Sequence, residues 1–142
     1  MSTPPRPAPA QVEAADLLVQ SAFTVTALIS KVAAEHGLSL SLARVLAILR
    51  DHEPQMNELA AHLGLDRSSV SGLIDRAAAR GLVRREKSSR DGRAAHLILT
   101  EQGRAVADAC AGQMARALEP ATVRLTASEQ ARLTVLLARL WA

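Results

Sequence analysis

Apolar residues recur along most of this chain at the three- and four-residue spacings of amphipathic helices, and the breaks in that rhythm mark where helices stop. Over residues 12–34, Ala15, Leu18, Val19, Ala22, Phe23, Val25, Ile29 and Val32 form a broad stripe on one long helix, closed by His36-Gly37. Ser39 or Ser41 can cap the next helix, whose apolar face is Leu42, Val45, Leu46 and Leu49. A short third helix carries Leu59, Ala60 and Leu63 on one side, and Ala60 is small where another helix must cross closely. Gly64 ends it, since glycine takes the left-handed conformation at little cost, and Asp66 can cap a helix starting near Arg67. Along that fourth helix Val70, Leu73, Ile74 and Ala77 face the core, while Arg67, Ser68, Ser69, Ser71, Gly72, Asp75 and Arg76 face outward.

Beyond Arg80-Gly81 the period changes. Residues 82–87 read as a strand and residues 95–99 as its partner, with turn chemistry centred on Asp91-Gly92 between them. Thr100 can cap a helix from residue 101 to about 118, with Pro120 close after it. Thr126-Ala-Ser-Glu129 has the form of a capping box opening a last helix that carries Leu133, Leu136, Leu137, Leu140 and Trp141. The predicted fold class is therefore mainly α with a small β-hairpin wing: a winged helix-turn-helix flanked by N- and C-terminal dimerisation helices. The expected division is a disordered tail over residues 1–10, rich in proline, a dimerisation helix over 11–36, a winged helix-turn-helix DNA-binding region over 37–100, and C-terminal dimerisation helices over 101–142.

Charge sharpens the picture. Between residues 80 and 93, Arg80, Arg84, Arg85, Lys87, Arg90 and Arg93 stand against Glu86 and Asp91, a surplus of four in a chain whose net charge is +3. The excess positive charge sits on the predicted wing, where neutralising phosphates with counterion release is its obvious use. The outward face of the fourth helix is short, polar and hydrogen-bonding. Such a face can lie in a major groove, where base edges present donors and acceptors. Arg90 or Arg93 at the hairpin tip could enter an adjacent minor groove. A plain solvated hairpin, with Asp91 pairing a neighbouring arginine, fits the same residues, and a carboxylate can also orient an arginine that binds DNA.

Composition excludes several alternatives. Aromatic residues make up 1% of the chain, Phe23 and Trp141 alone, so the stacking platforms of single-strand binders are missing. Cys110 is the only cysteine, which rules out an internal disulfide and fits a reducing compartment. On an Ala-rich helix with no histidine nearby in sequence, it reads as a small packing residue. No nucleophile elbow, phosphate-cradling loop or His-Glu-x-x-His pair occurs, so no enzymatic activity and no cofactor are expected. Glu35-His36 and His52-Glu53 are scattered without convincing ligand spacing, and no metal site is expected. With no leader-like terminus and no uninterrupted apolar run near the roughly 20 residues that span a bilayer, cytoplasmic residence without membrane association is expected.

From Glu58 to Arg104, the run Glu-Leu-Ala…Leu-Gly-Leu-Asp-Arg-Ser-Ser-Val-Ser…Leu-Ile-Asp-Arg…Arg-Gly-Leu-Val-Arg-Arg…Arg-Asp-Gly-Arg…Leu-Ile-Leu-Thr-Glu-Gln-Gly-Arg closely resembles the MarR family of bacterial transcriptional regulators. The resemblance implies a homodimeric winged helix-turn-helix protein, usually a repressor, often relieved by a small ligand or by oxidation. Carried over position by position, Ser68, Ser69, Ser71 and Arg76 fall on the recognition helix, and Arg90, Asp91 and Arg93 on the family's wing signature, where the Asp supports a minor-groove arginine. Gly72 departs from the pattern, for that position often carries a longer polar or basic side chain, so one base or phosphate contact is in doubt.

The expected function is sequence-specific binding of double-stranded DNA by a homodimer on a pseudo-palindromic operator, as a ligand-responsive repressor. Arg67, Ser68, Ser69, Ser71, Asp75, Arg76, Arg90, Asp91 and Arg93 are the candidate DNA-binding residues. A small-molecule effector pocket is expected where the first, second and fifth helices meet, near His36, Arg44 and Arg50. The alternative is a winged helix serving as a protein-interaction module, its basic wing contacting an acidic partner.

Overall fold

A computed structural model describes residues 6–87 and 94–140. In chain order the elements are helices α1 (Pro9–Glu35), α2 (Leu40–Asp51), α3 (Met56–Leu63) and α4 (Arg67–Ala79), strands β1 (Val83–Lys87) and β2 (Ala95–Leu99), and helices α5 (Glu101–Thr122) and α6 (Ala127–Leu140). The strands pair antiparallel with Val83 opposite Leu99 and Lys87 opposite Ala95. An isolated bridge from Gln55 to His96 ties the start of α3 to the same sheet. The winged helix-turn-helix expectation is thereby met.

Capping follows the sequence closely. Ser39 accepts from the Leu42 amide at 3.1 Å, and Thr100 Oγ1 from the Gly103 amide at 2.9 Å. Thr126 and Glu129 form a reciprocal box at the head of α6. Two boundaries differ from expectation. Helix α1 begins at Pro9, inside the expected tail: proline's fixed φ suits the first helical turn, and the Gln11 side chain accepts from the Ala8 amide at 2.8 Å. Helix α5 runs through Pro120 to Thr122, four residues past the expected end. Residues 1–5 and the expected hairpin turn at 88–93 lie outside the described residues, as does Trp141.

The core gathers around α2. Val45, Leu46 and Leu49 are buried against Leu59 of α3, Val70, Ile74 and Ala77 of α4, Leu97 of β2 and Ala107 of α5. Among the described residues no polar or charged side chain is buried. Such a core stabilises by apolar area removed from water, at roughly 25 cal/mol per Å². Helix α5 reaches the core only because Gly103 lets it lie directly on the backbone of Leu82. A Cβ there would stand 1.9 Å from the Leu82 carbonyl oxygen.

The ends of the chain are different. Helix α1 buries only Val32 and Ala33, and α6 buries nothing. Leu17, Leu18, Val19 and Phe23 on α1, and Leu133, Val135, Leu136, Leu137 and Leu140 on α6, stand exposed, Phe23 at 72%. No uninterrupted apolar run of bilayer-spanning length occurs, as expected, but a test that tolerates uncharged polar residues, and that core helices of soluble proteins also pass, gives a different answer. By length and composition α1 passes that test, with mean hydropathy 1.6 over its most apolar 18 residues. Counting uninterrupted runs missed it because Gln20, Ser21, Thr24 and Thr26 break the run without adding charge.

Candidate nucleic-acid interface

The turn between α3 and α4 is built from three residues. Gly64 sits at φ 65°, ψ 31°, the left-handed region where a side chain would be strained. Leu65 follows, and Asp66 then caps α4, accepting from the Ser69 amide at 2.9 Å and from Ser69 Oγ at 2.6 Å. Those hydrogen bonds hold the Asp66 carboxyl below its ordinary pKa, the Ser69 hydroxyl contributing most. A depressed carboxyl pKa favours the fold above the ordinary carboxylate range and loses that contribution as pH falls through the folded value. From α2, Arg44 donates to the carbonyls of His62 at 2.9 Å and Leu63 at 3.2 Å, satisfying the C-terminal end of α3. The helix-turn-helix is thus pinned at both ends of its turn.

On α4 the buried stripe is Val70, Leu73, Ile74 and Ala77. Arg67, Ser68, Ser69, Asp75 and Arg76 are exposed and Ser71 is half-buried. Ser68 therefore stands on an open face with Ser71 half-buried at its edge, while Ser69 spends its hydroxyl proton on Asp66. Asp75 points sideways: its carboxylate accepts from Arg85 on β1 at 3.0 Å, tying the helix to the strand. Asp75 is in this way a positioning residue. Arg67, Ser71 and Arg85 border a groove with Gln55 and Asn57 at the head of α3 and Ala95 on β2. On β1, Arg84 pairs with Glu86, so part of the wing's positive charge is offset locally.

Arg80 does not join the patch that its charge suggested. It donates to the carbonyl of Gly37 at 2.8 Å, with a longer 3.4 Å bond to that of His36, and so clasps the end of α4 to the turn after α1. This role carries no sequence signal, because it depends on two turns 43 residues apart meeting in space. Arg90, Asp91 and Arg93 lie outside the described residues.

A second, apolar cleft of about 390 Å³ lies where α1, α2 and α5 meet, lined by Ile29, Leu46, Cys110 and Met114 among others. Arg44 and Arg50 border it, but Arg44 is engaged with α3 and Arg50 pairs with Asp51 at 3.3 Å. His36 sits outside the cleft: its Nε2 donates to Gln113 Oε1 at 3.0 Å, and the Gln113 amide donates to Glu35. Burial raises the pKa of the Cys110 thiol, which keeps it protonated and a poor nucleophile. Among the described residues no cluster of three His, Cys, Asp or Glu side chains could hold a metal ion.

Hairpin, pinned turn and open hydroxyl face together define a winged helix-turn-helix protein. Residues 36–94 match the sequence model of the MarR family. Over residues 36–94 the chain is similar to the MarR family, and the resemblance read from residues 58–104 is borne out there. Among solved structures, the transcriptional regulator PA3341 is 28% identical, with 89% of this chain and 94% of that one covered and a TM-score of 0.77. CouR from Rhodococcus jostii RHA1, bound to p-coumaroyl-CoA, is 25% identical over 87% of this chain and 88% of its own, with a TM-score of 0.75. Apo MarR from E. coli shares the fold, at 24% identity, 90% and 96% coverage and a TM-score of 0.72. No curated protein matches the chain by sequence.

Proposed function

We propose that this chain is a cytoplasmic transcriptional regulator that binds a pseudo-palindromic duplex operator as a homodimer, acts as a repressor and responds to a small-molecule effector. The observation that carries the reading is the open face of α4, where Arg67, Ser68 and Arg76 are exposed beside a turn fixed by Gly64 and Asp66. A recognition helix needs short polar groups at base-edge distance and cations flanking them. The exposed apolar surfaces of α1 and α6 supply the second requirement, a self-complementary face that brings two such helices together. Arg90, Asp91 and Arg93, which fall between the two strands in the sequence, are proposed as further DNA contacts. For the effector, the apolar cleft between α1, α2 and α5 falls in the usual size range for small ligands, and CouR, of similar fold, was solved with an acyl-CoA thioester bound. An effector seated at that junction switches the protein if it binds one spacing of the two DNA-reading heads better than the other.

Titration of fluorescent duplexes tests the DNA-binding step. Affinity for a duplex selected by the protein is expected to exceed that for random duplex by about 10³-fold or more, and to fall steeply with salt. Weak binding that ignores both sequence and salt would remove the reading.

A further inference from the structure

We infer that Gly72 and Arg76 act together as a single reading head for one guanine in each half-site, at the base pair that faces position 72. The inference rests on the proposed DNA-binding reading of α4 and deepens it. Ser68, Gly72 and Arg76 are four residues apart and share one stripe of the helix. Side chains on a helix lean toward its N-terminus, so Arg76 lies back over the preceding turn. There it meets the notch left by Gly72: a Cβ built on Gly72 would stand 3.3 Å from Arg76 Nη1 and, beyond its chain neighbours and the helix's own backbone, within 4 Å of nothing else. The guanidinium thus occupies the middle of the open face. A longer side chain at 72 would occupy that place itself.

Two further features leave this arginine available. The neighbouring carboxylate, Asp75, is turned toward Arg85, and no ion pair among the described residues includes Arg76. Its stripe neighbour one turn beyond the notch, Ser68, is too short to intercept a base edge ahead of it. An exposed planar fork with two parallel donors matches the O6 and N7 acceptors that guanine alone presents side by side in the major groove. The open space that Arg76 uses comes at the cost of a helix-weakening glycine.

Selection from a random duplex pool, run in parallel with the wild type, Arg76→Ala, Gly72→Ala and Gly72→Gln, tests this. Thermal unfolding of each variant verifies the fold, and both Gly72 substitutions favour the helix. The wild type is expected to enrich one invariant guanine per half-site, and 7-deazaguanine there is expected to weaken binding about tenfold or more, since it lacks N7. Arg76→Ala and Gly72→Gln are expected to lose preference at that same position only, with Gly72→Ala in between, and Arg76→Ala to ignore the 7-deaza change. Retention of the guanine by Gly72→Gln, insensitivity of the wild type to 7-deazaguanine, or loss of preference at every position would each overturn the inference while leaving sequence-specific binding by the wild type intact. Enrichment of no sequence by the wild type would overturn the DNA-binding reading itself, and this inference with it.

Discussion

Gly103→Ala is expected to melt about 10 °C or more below the wild type, the largest stability loss from any single methyl group added to this chain. The added carbon has nowhere to go. Its position lies 1.9 Å from the Leu82 carbonyl oxygen and 2.8 Å from the carbonyl carbon, both backbone atoms and neither on a flexible side chain. The surrounding joint has no slack either. The Thr100 amide donates to that same Leu82 carbonyl at 3.0 Å, Thr100 Oγ1 donates to the Gly81 carbonyl, and Gly81 is held at φ 71°. Accommodating the methyl means lifting α5 off the α4–β1 turn, which breaks these bonds and loosens Ala107 from the core. Overpacking costs about 1–3 kcal/mol or more and each lost hydrogen bond about 1 kcal/mol, against a gain of at most about 1 kcal/mol from replacing a helical glycine. The balance is a loss of roughly 3 kcal/mol, a large share of the usual 5–15 kcal/mol total. Circular dichroism on heating measures it, and an unchanged midpoint would show that α5 does not bear on Leu82 this way.

Leu136→Glu is expected to leave the folded chain monomeric and to abolish tight operator binding. In the single chain Leu136 is 45% exposed on a helix with no buried residue, so a carboxylate there meets water and leaves the fold intact. In a two-fold dimer built on α1 and α6 the same position enters the interface twice. Each copy forfeits part of the ~1.5–3 kcal/mol that burying a leucine contributes and adds a charge that must be desolvated, so the dissociation constant should rise about 100-fold or more. Sedimentation velocity at micromolar concentration reads the assembly state, and a variant that stays dimeric would move the interface off α6.

Much of this molecule could be read in its residues, and the reasons are local. Ser39, Asp66, Thr100 and Thr126 cap the helices they precede, because a cap depends only on residues within one turn. The buried and open faces of α4 fell out of helical spacing alone. What spacing could not reveal were contacts made by folding. Asp75 holds Arg85, Arg80 clasps the Gly37 carbonyl and Arg44 satisfies the end of α3, and none of these pairings leaves a local signal in the sequence. Helical spacing also carries no sign of the need for Gly103, which comes from the Leu82 backbone lying against it. His36, a polar candidate near the cleft by sequence, is hydrogen-bonded to Gln113 and is not among the residues that line it. The end of α5 was missed because Pro120 sits in the last turn, where a missing amide proton and a ring clash disturb few remaining bonds.

Two copies of α4, presented in successive major grooves on one face of B-form DNA, are the centre of this account. Hydroxyl-radical and guanine-methylation footprinting of the protein on its selected duplex tests that arrangement most directly. The predicted result is a pair of equivalent major-groove contacts separated by about one helical turn, roughly 10–10.5 base pairs, with two chains bound per site. One isolated patch with a single chain bound, or uniform protection without a repeat, would contradict it.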